Sequence, residues 1–222
     1  MRPPATDRAD TTAPGYPALP LSATPAQGLD KEEALFRLLE GHWRYLRNET
    51  VVTPVEASDR NAHAQGQYPF AAILGCADSR VSPELIFDQR QGDLFVVRVA
   101  GNIVGDGELA SIEYAVEHLG VRLVVVLGHE QCGAVKAATE NADLEGPIGY
   151  LVRQIAPAVE RARSLPGVLL DNAVDENIRR SVHRLTEGSR SIAHRVDCGD
   201  VRILGARYAL QSGDAEILLT LG

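Results

Sequence analysis

Directly after the apolar run Ala71-Ala72-Ile73-Leu74, a thiol, a carboxylate and a guanidinium occupy alternate positions: Cys76, Asp78 and Arg80, in the stretch GCADSR. Such side chains do not build a core at the end of a strand. They make either a turn with a free cysteine and a surface ion pair, or a metal ligand with an acid–base partner. A second cluster, GHEQCGA, places His129 and Cys132 in an H-x-x-C arrangement. Two soft thiolates and a borderline imidazole are a good zinc set. Three protein ligands would leave a fourth tetrahedral position for water, as in a catalytic rather than a structural site. Asp78 is spaced to reach that position, or to take a proton from water there. Arg80 can decide which, by holding the carboxylate through a two-pronged charge-assisted hydrogen bond. An exposed Asp–Arg pair alone contributes only about 0–1 kcal/mol and would not explain the neighbouring cysteine.

Cys76 and His129 are 53 residues apart, too far for a zinc finger, so the fold must bring them together. Short, nearly continuous hydrophobic runs at 71–75, 94–100, 122–128 and 201–206 predict strands buried on both faces of a parallel sheet. A further run at 215–220 follows the turn LQSGD and is expected to add antiparallel at an edge. Helical patterns lie between them at about 108–119, 132–142, 148–164 and 173–187. The expectation is an α/β fold: a central sheet of about four parallel strands plus one antiparallel edge strand, flanked by helices. If the first and third strands are neighbours, both clusters meet at a topological switch point, where such sheets open a ligand crevice. An N-terminal helical arm is predicted from Asp30, an N-cap with Glu33 three residues on. Its apolar stripe is Leu35, Leu38, Leu39, Trp43 and Leu46. Residues 1–28 hold six of the twelve prolines and no periodic pattern, and are expected to form a disordered or extended arm before a single domain at 29–222.

Composition narrows the function. A net charge of −8 argues against a nucleic-acid partner, whose phosphates need a basic face. No apolar run approaches the length of a membrane span, and the first residues lack a secretory h-region. Three cysteines, an odd number, do not suggest a disulfide framework. These features predict a cytoplasmic protein with no nucleic-acid or membrane partner. The glycine-rich AGNIVGDGE lacks the phosphate-loop pattern and its lysine. Cys198 reads as a half-buried free thiol, and His42, His63, His118, His183 and His194 lack ligand spacing.

Taken together, CADSR, GDLFVVRVAGN, SIEYAV, GHEQCGAV and the late VRILGARYALQSGDAEIL resemble the β-class carbonic anhydrases in order and spacing, from about residue 30 to the end. The resemblance implies that Cys76, His129 and Cys132 are permanent ligands of one zinc ion per chain. It implies that Asp78 binds zinc in a closed form or pairs with Arg80 in an open one. By the same resemblance Gln67 contacts a substrate oxygen, and Phe95 and Tyr114 line a narrow pocket partly across a subunit interface. Gly133 contributes a backbone group beside it. From the residues alone, Phe95 and Tyr114 would be ordinary core. The implied activity is reversible hydration of carbon dioxide to bicarbonate, by a homodimer or homotetramer with the N-terminal helix reaching over its partner. Two other readings stay open: a hydrolase of the same fold acting on carbonyl sulfide or carbon disulfide, and a non-catalytic zinc-binding interaction protein.

Overall fold

The computed structural model describes residues 29–52, 55–140 and 144–222; the proline-rich segment 1–28 lies outside the described residues. Chain order is α1 (Lys31–Leu46), α2 (Ala57–His63), β1 (Ala71–Gly75), α3 (Pro83–Ile86), β2 (Leu94–Arg98) and α4 (Asp106–His118). Then come β3 (Leu123–His129), α5 (Gly133–Glu140), α6 (Gly146–Ala162), α7 (Leu169–Gly188), α8 (Arg190–Asp197), β4 (Arg202–Tyr208) and β5 (Ala215–Leu221). One five-stranded sheet runs β2-β1-β3-β4-β5. The first four strands are parallel and β5 is antiparallel at the edge, as the runs and the LQSGD turn predict.

Every residue of β1 and β3 is buried. Helices cover this inner pair, so the strands carry Val, Ile and Leu continuously rather than in alternation. The core of α7 is a stripe of Val174, Ile178, Val182 and Leu185 that packs on β3 and β4. Among the described residues, no helix is long and apolar enough to cross a membrane.

Several boundaries depart from the periodic pattern. β2 stops at Arg98 rather than at residue 100, because Ala100–Asn102 turns into a short 3-10 segment with Gly101 and Asn102 at φ 72° and 41°. The helix expected at 173–187 starts four residues earlier, at Leu169. α2, α3 and α8 have no counterpart in the sequence reading. They are too short to show an apolar stripe and are built from local signals. Pro83 opens α3, and the Ser189 hydroxyl accepts from Ile192 N–H to start α8 immediately after α7.

The capping box of α1 forms as expected, with Asp30 Oδ1 accepting from Glu32 and Glu33 N–H at 2.8 and 2.9 Å. The buried face of the helix differs from the expected stripe. It consists of Ala34, Leu38, Gly41 and His42, and it docks on α3 and β3 of its own chain. Leu39 and Trp43 stay 37% and 46% exposed on the other side. Arg44 anchors the far end to buried Asp88, whose carboxylate also accepts from Val51 and Val52 N–H.

Gly41 sets how closely α1 approaches: a Cβ there would lie 1.8 Å from the Phe87 carbonyl oxygen. Helix propensity alone favours Gly41→Ala by about 1 kcal/mol. Overpacking against backbone costs about 1–3 kcal/mol and cannot be relieved by a rotamer change. Gly41→Ala should therefore lower Tm by a few degrees in thermal denaturation, whereas an unchanged or higher Tm would show that α1 is not held at this contact.

Candidate metal centre and its dyad

Register brings the two clusters together. Gly75, the last residue of β1, pairs with Leu127 of β3, and His129 ends β3 two residues later. Cys76 follows β1 directly, and Cys132 sits just before the first turn of α5. The chain leaves β1 toward β2 on one side and reaches β3 on the other, so both clusters lie at the switch point of the sheet.

The donor atoms of Cys76, His129 and Cys132 lie within 4.8 Å of one another, and all three residues are buried. The two sulfurs are 3.9 Å apart. Two thiolates on a tetrahedral zinc, at about 2.3 Å each, stand about 3.8 Å apart. His129 Nδ1 is 2.8 Å from the Glu130 carbonyl, to which it donates. That bond leaves Nε2 as the coordinating nitrogen, and Nε2 is a buried atom with no hydrogen-bond partner. The residues fit a zinc ion.

The electrostatics point the same way. The two thiols titrate as a pair. A hydrogen bond from Cys132 holds the Cys76 thiol down to about 4, and the same contact pushes the Cys132 thiol up. Burial disfavours the charged form of His129, but the neighbouring Cys76 sulfur and its charge outweigh it, so the imidazole titrates above its ordinary value. Backbone N–H groups share the negative charge: Gly101 N–H and Asp78 N–H point at Cys76, and Ala134 and Val135 N–H point at Cys132 from the start of α5. A dication would displace the proton that this group retains.

Asp78 and Arg80 form the expected pair. Arg80 Nε and Nη2 donate to Asp78 Oδ1 and Oδ2 at 2.9 and 2.7 Å, and the Arg80 hydrogen bonds hold the carboxyl well below the usual carboxylate range. Asp78 Oδ2 is also 3.9 Å from His129 Nε2, so the carboxylate borders the cluster while paired with the arginine. Gly133 lies at the start of α5, and a Cβ there would meet nothing within 4 Å.

Gln67, Phe95 and Tyr114 are not brought to this cluster. Phe70 N–H pairs with the Asp93 carbonyl at 2.9 Å and marks the N-terminal rim of the sheet. That rim is about 20 Å of strand away from Cys76, and Gln67 is exposed on the loop that precedes it. Phe95 stands opposite Ala72 on the edge strand, three residues before Arg98. Its ring is 6.2 Å from Tyr114, which is 45% exposed on α4. Phe95 thus packs half-buried against the core and Tyr114 is exposed, and neither belongs to this chain's own cluster.

Two supports escaped the sequence reading. Arg98 donates from Nε to the Cys76 carbonyl at 2.9 Å and from Nη2 to the Asp78 carbonyl at 2.5 Å, clamping the loop that carries ligand and dyad. A lone arginine inside the run LFVVRVA was the available signal. The other is the 99–102 turn behind Cys76, where Val99 N–H bonds the Gly75 carbonyl and Ala77 N–H bonds that of Val99. The five remaining histidines and Cys198 take no part in the cluster, and Cys198 is an exposed free thiol, not a half-buried one.

Comparison with known proteins agrees with this geometry. Residues 71–215 match the profile of the carbonic anhydrase family. Carbonic anhydrase 2 of Mycobacterium tuberculosis is 41% identical over 182 residues, covering 80% of this chain and 88% of its own. The carbonic anhydrase of Mycolicibacterium smegmatis is 37% identical over 190 residues, covering 83% and 92%. Among solved structures, a Coccomyxa β-carbonic anhydrase in complex with acetazolamide superposes with a TM-score of 0.67 at 27% identity, covering 85% of this chain and 87% of that one. With its thiolate–imidazole–thiolate cluster at the switch point and an Asp–Arg pair on its border, the chain belongs to the β-class carbonic anhydrase family.

Proposed function

We propose that this protein is a zinc-dependent carbonate dehydratase that interconverts carbon dioxide and bicarbonate. The observation that carries the reading is the buried set of three donor atoms within 4.8 Å, bordered by an intact Asp78–Arg80 pair. Cys76, His129 and Cys132 would hold one zinc ion. When bound, zinc supplies Lewis acidity that makes water a source of hydroxide near neutral pH. Everything else is done by the chain. The two thiolates offset the metal's charge, and their backbone N–H partners moderate how much. Asp78 offers a carboxylate hydrogen-bond acceptor at the border of the cluster, and Arg80 holds that carboxylate in the ion pair so that the fourth position stays free. The space open beside Gly133 lets a small linear substrate approach the cluster.

Gln67, Phe95 and Tyr114 serve a neighbouring subunit's cluster in this reading. They lie toward the other end of the sheet from Cys76, and β2 is an edge strand whose Phe95, Val96 and Val97 are only partly covered. With the half-exposed Tyr114 beside it, and Leu39 and Trp43 exposed on α1, that edge supports at least a dimer in which each copy completes the other's pocket. The Gln67 amide would donate to a carbon dioxide oxygen, and the Phe95–Tyr114 pair would form an apolar wall. Three free cysteines fit a reducing, cytoplasmic setting. An intact dyad disfavours a non-catalytic zinc module, which needs only the ligands, and hydration assays with carbonyl sulfide as the competing substrate separate the hydrolase.

Cys132→Ala should lose both bound zinc and carbon dioxide hydration. One zinc per wild-type chain by atomic absorption is expected, and a fully active variant would refute the ligand assignment. Arg80→Ala should free Asp78 to occupy the fourth position and reduce kcat by about 10–100-fold, the usual cost of removing a group that orients a metal site, with zinc retained. Wild-type turnover in that variant would remove Arg80 from the mechanism. Gln67→Ala should lower kcat/KM by about 10²–10³-fold, as loss of one preorganised donor does, at unchanged zinc content. Mixed with Cys132→Ala chains it should regain activity, because hybrid dimers contain one pocket with both groups intact. Lack of such complementation would place Gln67 in its own subunit's site or in none.

A further inference from the structure

Helix α7 carries an anomaly. Within its buried stripe of Val174, Ile178, Val182 and Leu185 stand two polar residues one turn apart, Asn177 and Ser181, only 1% and 3% exposed. Apolar residues would pack that face as well, and a buried polar group is costly unless it is bonded. Both are bonded to the backbone of one turn. Asn177 Nδ2 donates to the Gly101 carbonyl at 2.7 Å, and Ser181 Oγ donates to the Asn102 carbonyl at 2.9 Å.

The other side of that turn faces the candidate metal centre. Gly101 N–H lies 3.3 Å from Cys76 Sγ and donates to it. Gly101 and Asn102 are consecutive left-handed residues, a conformation that glycine and asparagine tolerate singly but that two residues in a row seldom adopt. A side chain at Gly101 would be strained at φ 72° and crowded, its Cβ 2.8 Å from Ile155 Cδ1 and 3.2 Å from Ala134 Cβ. Two consecutive carbonyls thus point into α7 and are held there, while the amide of the same residue points at the sulfur.

We propose that Asn177, supported by Ser181, is a positioning residue for the metal centre. By holding the Gly101 carbonyl it fixes the N–H···S bond that orients Cys76 and draws electron density from its sulfur. The inference rests on the zinc-site reading above, and it extends the centre's supporting structure to a helix that contributes no ligand. Outer partners of this kind tune a site through its ligands and cost about 10–100-fold in metal affinity when lost.

The test uses the full-length protein with cobalt(II) in place of zinc, since cobalt reports thiolate ligation by a charge-transfer band. Asn177→Leu keeps the volume of the side chain and removes its donor. Relative to wild type, the band should move to lower energy as the sulfur becomes more electron-rich. Cobalt and zinc affinity, measured by chelator competition, should fall about tenfold. Leu185→Ala, on the same buried face two turns away, controls for stability: it should lower Tm while leaving band position and metal affinity unchanged. If Asn177→Leu does not fold, Ser181→Ala should show the same two changes, smaller in size. A folded Asn177→Leu, or Ser181→Ala in its place, with wild-type band and affinity would overturn the inference alone. A wild-type protein that shows no thiolate band with cobalt would overturn the metal centre itself, and the inference with it.

Discussion

The constraint on which this structure turns is the crowding of electron-rich donors. Two buried sulfurs 3.9 Å apart, a buried imidazole and, 3.9 Å from that imidazole, a partly exposed carboxylate share one corner. Left to themselves such groups repel or take up protons, and here the cysteines do the second, keeping a proton between them. The fold answers with positive ends of backbone dipoles. The first amides of α5 face Cys132, and amides of two loops face Cys76. It answers with two guanidiniums as well, but on different atoms: Arg80 takes the Asp78 carboxylate, and Arg98 takes the loop carbonyls. A dication would complete the balance that these groups leave open.

The sheet makes that crowding possible. Parallel strands put all their C-terminal ends on one side, and the order β2-β1-β3 places the two ligand-bearing strands next to each other with helices leaving in different directions. Their register pairs Ala72, Ile73, Leu74 and Gly75 of β1 with Val124, Val125, Val126 and Leu127 of β3, which brings the two strand ends level. α7 plays two parts. Its apolar stripe closes the face over β3 and β4, and its two buried polar residues hold the turn behind Cys76.

The same regularity separates the two halves of the proposed pocket. A residue at the N-terminal rim of a parallel sheet cannot reach a ligand at the C-terminal rim of its own chain, which is why Gln67 stands well away from Cys76. Phe95 and Tyr114 lie on the outer edge beside β2, half covered. In the dimer proposed above, burial of that apolar edge and completion of the pocket are one event, which would couple assembly to activity.

Much was legible in the chain itself. The thiolate–imidazole–thiolate set, the alternating Asp and Arg, the parallel strands and the antiparallel last strand followed from residue type, run length and turn chemistry, which are local properties. The capping box of α1 was equally local. What the sequence could not disclose depended on approach between distant segments. Which face of α1 is buried was decided by the fit of Gly41 against Phe87, which a hydrophobic stripe does not encode. β2 ended early because the turn at Gly101 is pinned from two sides, by Cys76 and by a helix 76 residues away. Asn177 and Ser181 read in sequence as flaws in an amphipathic pattern, and only the tertiary structure shows the carbonyls they hold. The identity of the donors is a matter of chemistry carried by single residues; their distances, charge states and supports are set by backbone groups that every residue possesses and that only packing can aim.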